Sequence, residues 1–122
     1  MDTSAEICPL TQDAIAKVLA SRHAQGSAAK TRNRRRAVRW IFPSTVELWV
    51  PDADGTEHYA LATSINLSTT GIGIRSDEEL RPGLELGIAI HEPEMSFHGR
   101  AIVRHCTDTG HNFYIVGLQF VF

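Results

Sequence analysis

The chain has 122 residues, of which 43% are hydrophobic and 21% are charged. This composition is typical of one globular domain with a modest core, and it excludes a disordered or a fibrous chain. The chain is too short to divide readily into two domains. No stretch approaches the roughly 20 apolar residues of a membrane helix, and the N-terminus lacks the basic start and apolar run of a signal peptide. We therefore expect a cytoplasmic protein without a membrane span.

Charge is distributed unevenly along the chain. The formal net charge is −2, but residues 30–39 hold six basic residues and no acid, whereas residues 40–122 hold four basic and eleven acidic residues. An arginine-rich arm on an acidic body can capture a phosphorylated ligand locally. A general nucleic-acid surface would spread its positive charge over a face, so nucleic acid is disfavoured as a partner.

The first element in chain order is a helix predicted over residues 11–24. Thr11 or Asp13 can cap its start, and Gly26 can end it. Its apolar stripe consists of Ile15, Val18 and Leu19. The residues that follow, 26–33, are small and polar, as in a linker.

We predict two regions from this organisation, an N-terminal helix and linker over residues 1–29 and a β-domain over residues 30–122. After Pro43 the chain consists of short segments with β-type composition, separated by turn residues such as those of 51–55. With no helix between them, the connections should be antiparallel hairpins. The predicted strands are residues 46–50, 56–65, 72–76, 84–90, 96–106 and 112–122. The pattern predicts an all-β barrel or sandwich of six strands.

The first candidate motif is an R-x-x-x-R spacing at Arg35 and Arg39, just ahead of the first predicted strand. Arginine suits this position for a nucleotide ligand, because its planar fork donates two hydrogen bonds to phosphate oxygens or to guanine O6 and N7. By itself the motif is weak evidence, because such a run is more often a solvated basic tail.

The second candidate motif is N-x-S-x-x-G, formed by Asn66, Ser68 and Gly71 between the second and third predicted strands. A loop that offers an amide, a hydroxyl and backbone N–H groups can bind the edge of a base. Asn, Ser and Gly are also common in ordinary β-turns, so the isolated motif is more often turn structure alone.

Together the two motifs resemble the PilZ family, and the similarity extends to the segments 71–74 and 117–120 and covers roughly residues 34–122. The resemblance implies an all-β fold, a six-stranded antiparallel split β-barrel, that binds the bacterial second messenger cyclic di-GMP.

Carried over by position, Arg35 and Arg39 would clamp the phosphates and a guanine, Asn66 and Ser68 would hold a guanine edge, and Gly71 would shape the loop. Arg34 is a further candidate, because family members with arginine at this position tend to take up a stacked pair of ligand molecules. We expect Ala at Asn66 or Ser68 to weaken binding and leave the fold intact.

The resemblance also implies a receptor that signals mechanically. We expect ligand binding to change the conformation of the N-terminal arm, residues 26–39, and to pass the signal to a protein partner. Family barrels are often followed by a helix that covers one barrel mouth, whereas this sequence ends two residues after Phe120. The N-terminal helix could cover the mouth instead, or pack against a second copy in a homodimer.

Three other functions fit the sequence less well. A nucleic-acid-binding β-barrel that uses the arginine arm is the main alternative. A metal site is disfavoured, because no paired spacing supports His91, His98 and His105, and the two cysteines, Cys8 and Cys106, are predicted to be reduced thiols. An enzyme is not expected, since no catalytic arrangement stands out. We predict neither a metal nor a cofactor.

Overall fold

The structure, a computed structural model, describes residues 6–24, 40–91 and 95–122. These described residues form one helix, α1 (Gln12–Ala24), and seven strands. The strands are β1 (Glu6–Pro9), β2 (Trp40–Pro51), β3 (Glu57–Leu67), β4 (Gly71–Ser76), β5 (Glu85–His91), β6 (Met95–Asp108) and β7 (Tyr114–Val121). Within these residues no helix is long and apolar enough to cross a membrane.

Six of the strands close into an antiparallel barrel in the order β2-β3-β4-β7-β6-β5, and β5 pairs back onto β2. The six-stranded all-β prediction is therefore confirmed. The inward side chains alternate along each strand, as in β2, where Val46, Leu48 and Val50 are all buried. β2 begins at Trp40, before the predicted strand. Pro43 is tolerated there because the pairing with β3 shifts register between Ile41 and Ser44.

One connection differs from the predicted hairpins. β4 pairs with β3 and β7, whereas β5 pairs with β2 and β6. The segment 77–84 must therefore cross one end of the barrel, and Leu80, only 1% exposed, packs into the core from this segment. Turn residues show where a strand ends, but the next strand's partner depends on contacts distant in sequence, so the crossover was not predictable locally.

The short strand β1 was not predicted. It pairs in parallel with the start of β6, from Glu6 opposite Met95 to Pro9 opposite His98. The pairing of β7 with β6 covers only Arg100 onward. β1 therefore extends the sheet along the part of β6 that precedes its pairing with β7. β1 has only four residues and ends in proline, so its sequence shows no alternation of apolar and polar residues that would predict a strand.

The predicted N-terminal helix is confirmed, with Thr11 as its cap: the backbone N–H of Ala14 donates to Thr11 Oγ1 at 3.1 Å. Its apolar stripe belongs to the core of the barrel, where Ile15 is 2% exposed. Leu10, just before the helix, lies against Gly99 of β6, where a Cβ would be 2.7 Å from the Leu10 Cβ. The helix thus packs on its own barrel, and its apolar stripe is buried against that barrel. The buried core residues of this region are Leu10, Ile15, Val18 and Leu19.

The predicted boundary between residues 29 and 30 lies outside the described residues, so it stays a prediction. The packing of β1 and α1 against the barrel is nevertheless a structural fact. The N-terminal elements and the barrel share one hydrophobic core.

Candidate functional site

The N-x-S-x-x-G motif forms the turn between β3 and β4. Its backbone is closed by a hydrogen bond from the Ser68 N–H to the Gly71 carbonyl at 2.9 Å. The Ser68 side chain is 3% exposed, and its Oγ accepts from the N–H groups of Thr70 at 3.3 Å and Gly71 at 3.2 Å. The hydroxyl therefore organises the turn from within. Our expectation that Ala at Ser68 leaves the fold intact is revised by this geometry.

Gly71 is required by a close approach between strands. It lies opposite Gln119 of β7, and a Cβ at Gly71 would be 2.4 Å from the carbonyl oxygen of Leu118. The preceding carbonyl, of Thr70, accepts from the Phe120 N–H at 2.9 Å. Gly71 is not among the glycines with positive φ in the described part of the chain, which are Gly55, Gly83 and Gly110. The loop is thus fastened to β7, and the absence of a side chain permits that contact.

Asn66 lies at a β-bulge. Ser64 pairs with Ile74 and Asn66 pairs with Gly73, so Ile65 is the extra residue on β3. Asn66 Oδ1 accepts a hydrogen bond from the Gly73 N–H at 3.2 Å. The amide lies directly over Gly73, where a Cβ would be 2.9 Å from Oδ1 and 3.3 Å from Nδ2. Gly73 therefore provides both the donor and the space that hold the Asn66 side chain.

The arginine motif, with Arg34, Arg35 and Arg39, lies outside the described residues. Its position along the chain is still informative, because Arg39 immediately precedes Trp40, the first residue of β2. Trp40 pairs with Leu67 at the end of β3, and Leu67 immediately precedes Ser68. The register of β2 and β3 thus pairs the residue that follows the arginine motif in the chain, Trp40, with the residue that precedes Ser68, Leu67.

Arg75 is a cation that the sequence analysis did not single out. Gly71, Gly73 and Arg75 alternate along β4 with the buried Ile72 and Ile74, so they share the outer face of the barrel. The Arg75 guanidinium lies 3.7 Å from the centre of the Phe113 ring, in a cation–π arrangement. A single arginine within a strand has no spacing signal that distinguishes it from an ordinary surface residue.

Acidic groups collect at the opposite end of β2 and β3. There His58 Nδ1 lies 2.7 Å from Asp52 and its Nε2 lies 2.7 Å from Glu78. Glu78 and then Asp52 raise the pKa of His58, because both carboxylates favour the charged imidazole. The polar turn lies at the other end of β2 and β3, away from these carboxylates. This separation favours an anionic ligand at the turn.

The other histidines singled out by the sequence have local roles. His91 hydrogen-bonds Glu47, and its Nδ1 lies 2.7 Å from Ser96 Oγ. His98 meets the His91 ring edge-on, with the ring centres 6.3 Å apart. His105 packs over Gly117 on β7. Across residues 6–24, 40–91 and 95–122, no three His, Cys, Asp or Glu side chains form a group that could hold a metal ion.

Comparison with known proteins agrees with this architecture. The model of the PilZ domain family matches residues 33–122, so the chain belongs to the PilZ domain family. A search of the curated proteins finds no match.

Solved structures with the same fold come from several bacteria. The inhibitor of motility MotI/DgrA of Bacillus subtilis superposes with a TM-score of 0.59 at 21% identity, over 75% of this chain and 44% of that protein. The PilZ domain of Escherichia coli YcgR, solved with c-di-GMP, gives 0.54 at 18% identity, over 73% and 79%. The K. pneumonia MrkH–c-di-GMP complex gives 0.56 at 15% identity, over 78% and 55%. The chain thus spans less than half the length of the Bacillus protein.

Proposed function

We propose that this protein is a cyclic di-GMP receptor whose site combines the β3–β4 turn with the arginine motif. The observation that carries the proposal is the pairing of Trp40 with Leu67. Trp40 directly follows Arg39 in the chain and Leu67 directly precedes Ser68, so the pairing supports a site that combines the two motifs. Membership of the PilZ family supports the ligand, as do the two similar structures that were solved with it.

In this proposal Arg35 and Arg39 bind the phosphates and one guanine of the ligand, because guanidinium groups pair with both. Asn66 contacts a guanine edge. Ser68 and Gly71 act by holding the turn in shape, the first through its buried hydroxyl and the second through its contact with β7. Arg34 supplies the additional cation for a second, stacked ligand molecule.

The output is conformational rather than catalytic, and the protein acts in the cytoplasm. Ligand binding changes the conformation of residues 26–39 and so alters the surface offered to a protein partner. The support is positional: α1 precedes this segment and packs into the barrel core, and β2 follows it directly. Amide hydrogen exchange tests the change. Protection should rise in residues 26–39 on saturation with cyclic di-GMP, and unchanged exchange there would remove this part of the proposal.

Isothermal titration tests the ligand assignment. The full chain is titrated with cyclic di-GMP, GTP and a single-stranded oligonucleotide, and only the first should bind tightly. Arg35→Ala and Arg39→Ala should each weaken binding by about 10-fold to 150-fold, the equivalent of about 1.5 to 3 kcal/mol for a hydrogen bond to a charged group. Arg81→Ala is the matched control, since Arg81 is an exposed arginine on the crossover at the other barrel end.

Two results would contradict the assignment. If both arginine variants bind like the parent, the site is elsewhere. If the oligonucleotide binds tightly with a steep dependence on salt and cyclic di-GMP does not, the protein is a nucleic-acid-binding barrel instead.

Stoichiometry tests the role of Arg34 separately. At protein concentrations well above the dissociation constant, the parent should bind two ligand molecules per chain and Arg34→Leu should approach one. A parent stoichiometry of one would remove the stacked pair and leave the receptor assignment in place.

A further inference from the structure

Large apolar side chains lie exposed on the outer face of the barrel, away from the polar turn. Tyr59 is 53% exposed and Leu61 is 56% exposed, and both project from β3 on the side opposite to the buried Ala62. Trp49 of β2 is paired with Tyr59 and is half-buried beside it. The solvated face of an antiparallel strand is normally polar, so this outer patch, formed by Trp49, Tyr59 and Leu61, is typical of an interaction surface.

The aromatic part of the outer patch is held in place by its neighbours. The Tyr59 hydroxyl donates to Glu47 Oε2 at 2.6 Å, and the Tyr59 ring meets Trp49 edge-on with the ring centres 5.9 Å apart. The bond from Tyr59 lowers the pKa of Glu47, so the carboxylate is ionised and accepts this bond at neutral pH. Trp49 in turn lies over Gly87 of β5, where a Cβ would be 3.4 Å from the Trp49 Cβ. An exposed tyrosine fixed on two sides loses little side-chain freedom on binding, which suits an anchor residue of a protein interface.

A cleft beside Leu61 gives the outer patch a recess. Its volume is about 290 Å³, and it runs across β2, β3 and β4. The residues that line it are Thr45, Leu61, Ala62, Thr63, Arg75 and Asp77. Sites for small molecules measure roughly 300 to 1,000 Å³ and are mostly apolar. This smaller and largely polar cleft therefore fits one side chain of a partner better than a cofactor.

Carboxylates flank the outer patch on two sides. Glu57 is exposed two residues before Tyr59 on the same face of β3, and Asp77 is exposed at the cleft. Among the described residues, neither takes part in an ion pair. Residues 40–122 as a whole hold eleven acidic and four basic residues. A cationic partner is therefore attracted to this face and oriented on it.

A second copy of the chain does not suit the outer patch. A two-fold contact would bring the same carboxylates of both copies together, and three side chains fall short of the roughly 800 Å² that each partner of a stable interface buries. We propose that the outer patch docks a protein segment that carries an apolar side chain flanked by lysine or arginine. The contact does not need the proposed ligand, because Leu61 lies five residues before Asn66, roughly 17 Å along the strand.

Selection from a random peptide library tests this surface. The full chain is the target, and the selected peptides are then titrated by fluorescence anisotropy against the parent and its variants. The peptides should combine an apolar residue with lysine or arginine, and their affinity should fall as the salt concentration rises. Tyr59→Ala should weaken binding about tenfold and Leu61→Thr about fivefold. Val121→Thr is the matched control, because Val121 is a 40% exposed apolar side chain at the end of β7, and it should bind like the parent.

Three results would overturn the proposal. They are the absence of any selected peptide, peptides without basic residues, and peptides whose affinity both substitutions leave unchanged. A parent dimer in analytical ultracentrifugation that Leu61→Thr dissociates would also overturn it, since the occupant would then be a second copy.

Thermal melts and titration with cyclic di-GMP complete the test. Both variants change exposed side chains, so they should melt and bind cyclic di-GMP like the parent. If Tyr59→Ala melts early, Leu61→Thr decides the outcome, because threonine is a good strand former at an exposed position. Failure of the parent to bind cyclic di-GMP would overturn the receptor proposal, whereas failure of the peptide test would overturn this docking surface alone.

Discussion

Replacing Ser68 with alanine tests whether the turn is held together by its own hydroxyl. The Ser68 Oγ is buried and accepts from the Thr70 N–H at 3.3 Å and the Gly71 N–H at 3.2 Å. Alanine keeps the backbone but removes the acceptor, so both donors lose their side-chain partner. Thr70 is exposed, and water can replace the lost bond there. Gly71 is half-buried against β7, so most of the cost falls on its N–H group.

The expected loss is about 1 to 2 kcal/mol of unfolding free energy, since a net hydrogen bond contributes about 1 kcal/mol and an unsatisfied buried donor costs somewhat more. For a domain of this size the melting temperature should fall by about 4 to 8 °C. Urea denaturation and thermal melts of the ligand-free protein measure both quantities. Thr69→Ala is the matched control, because Thr69 makes no hydrogen bond within the described structure, and it should melt close to the parent. If Ser68→Ala also melts with the parent, the hydroxyl does not support the turn, and any loss of ligand affinity must come from direct contact.

Three further substitutions test other parts of the fold. Gly71→Ala places a Cβ 2.4 Å from the Leu118 carbonyl oxygen, so it should cost about 1 to 3 kcal/mol in urea denaturation, and an unchanged midpoint would show that β4 and β7 separate freely. Ile15→Ala should cost about 2 to 5 kcal/mol in the same transition as the barrel, because Ile15 belongs to the shared core; loss of helix signal in a separate, earlier transition would mean that α1 folds independently. His58 has a raised pKa because of Glu78 and then Asp52, so its stabilising contribution is complete below its unfolded pKa of about 6.5 and is lost as the pH rises through the raised value. The stability difference between the parent and His58→Gln should therefore be largest below the unfolded pKa and shrink as the pH rises through the raised pKa, and a difference independent of pH would contradict the ion pairs.

The barrel strands were predictable because each is a local pattern. Val46, Leu48 and Val50 alternate with polar or half-buried neighbours, and the pleat sends alternate side chains to opposite faces. The same logic located β3 to β7, with errors mainly at the ends. β1 and the crossover 77–84 escaped prediction, since a four-residue parallel pairing and a connection across the barrel are decided by which strands are neighbours in space.

The candidate site was predictable in identity but not in detail. Asn66, Ser68 and Gly71 were found from residue type and spacing, which the sequence displays directly. The role of Ser68 inside the turn was not visible, because a hydroxyl in a loop can face the backbone or the solvent equally well. Gly73 was missed because a glycine two residues into a strand has no distinctive spacing, and its importance comes from the side chain lying over it.

By itself the sequence determined the number of barrel strands, the N-terminal helix, the separation of charge and the two motifs, since all of these depend on residues close together along the chain. Only the tertiary structure decided which strand residues are paired beside the polar turn and how the Asn66 amide is turned. The pairing of Trp40 with Leu67 sets the first, and the bulge at Ile65, which places Asn66 over Gly73, sets the second. Both follow from strand register, which is fixed by burying one face of the whole sheet at once, so it is a property of the assembled barrel and of no single segment.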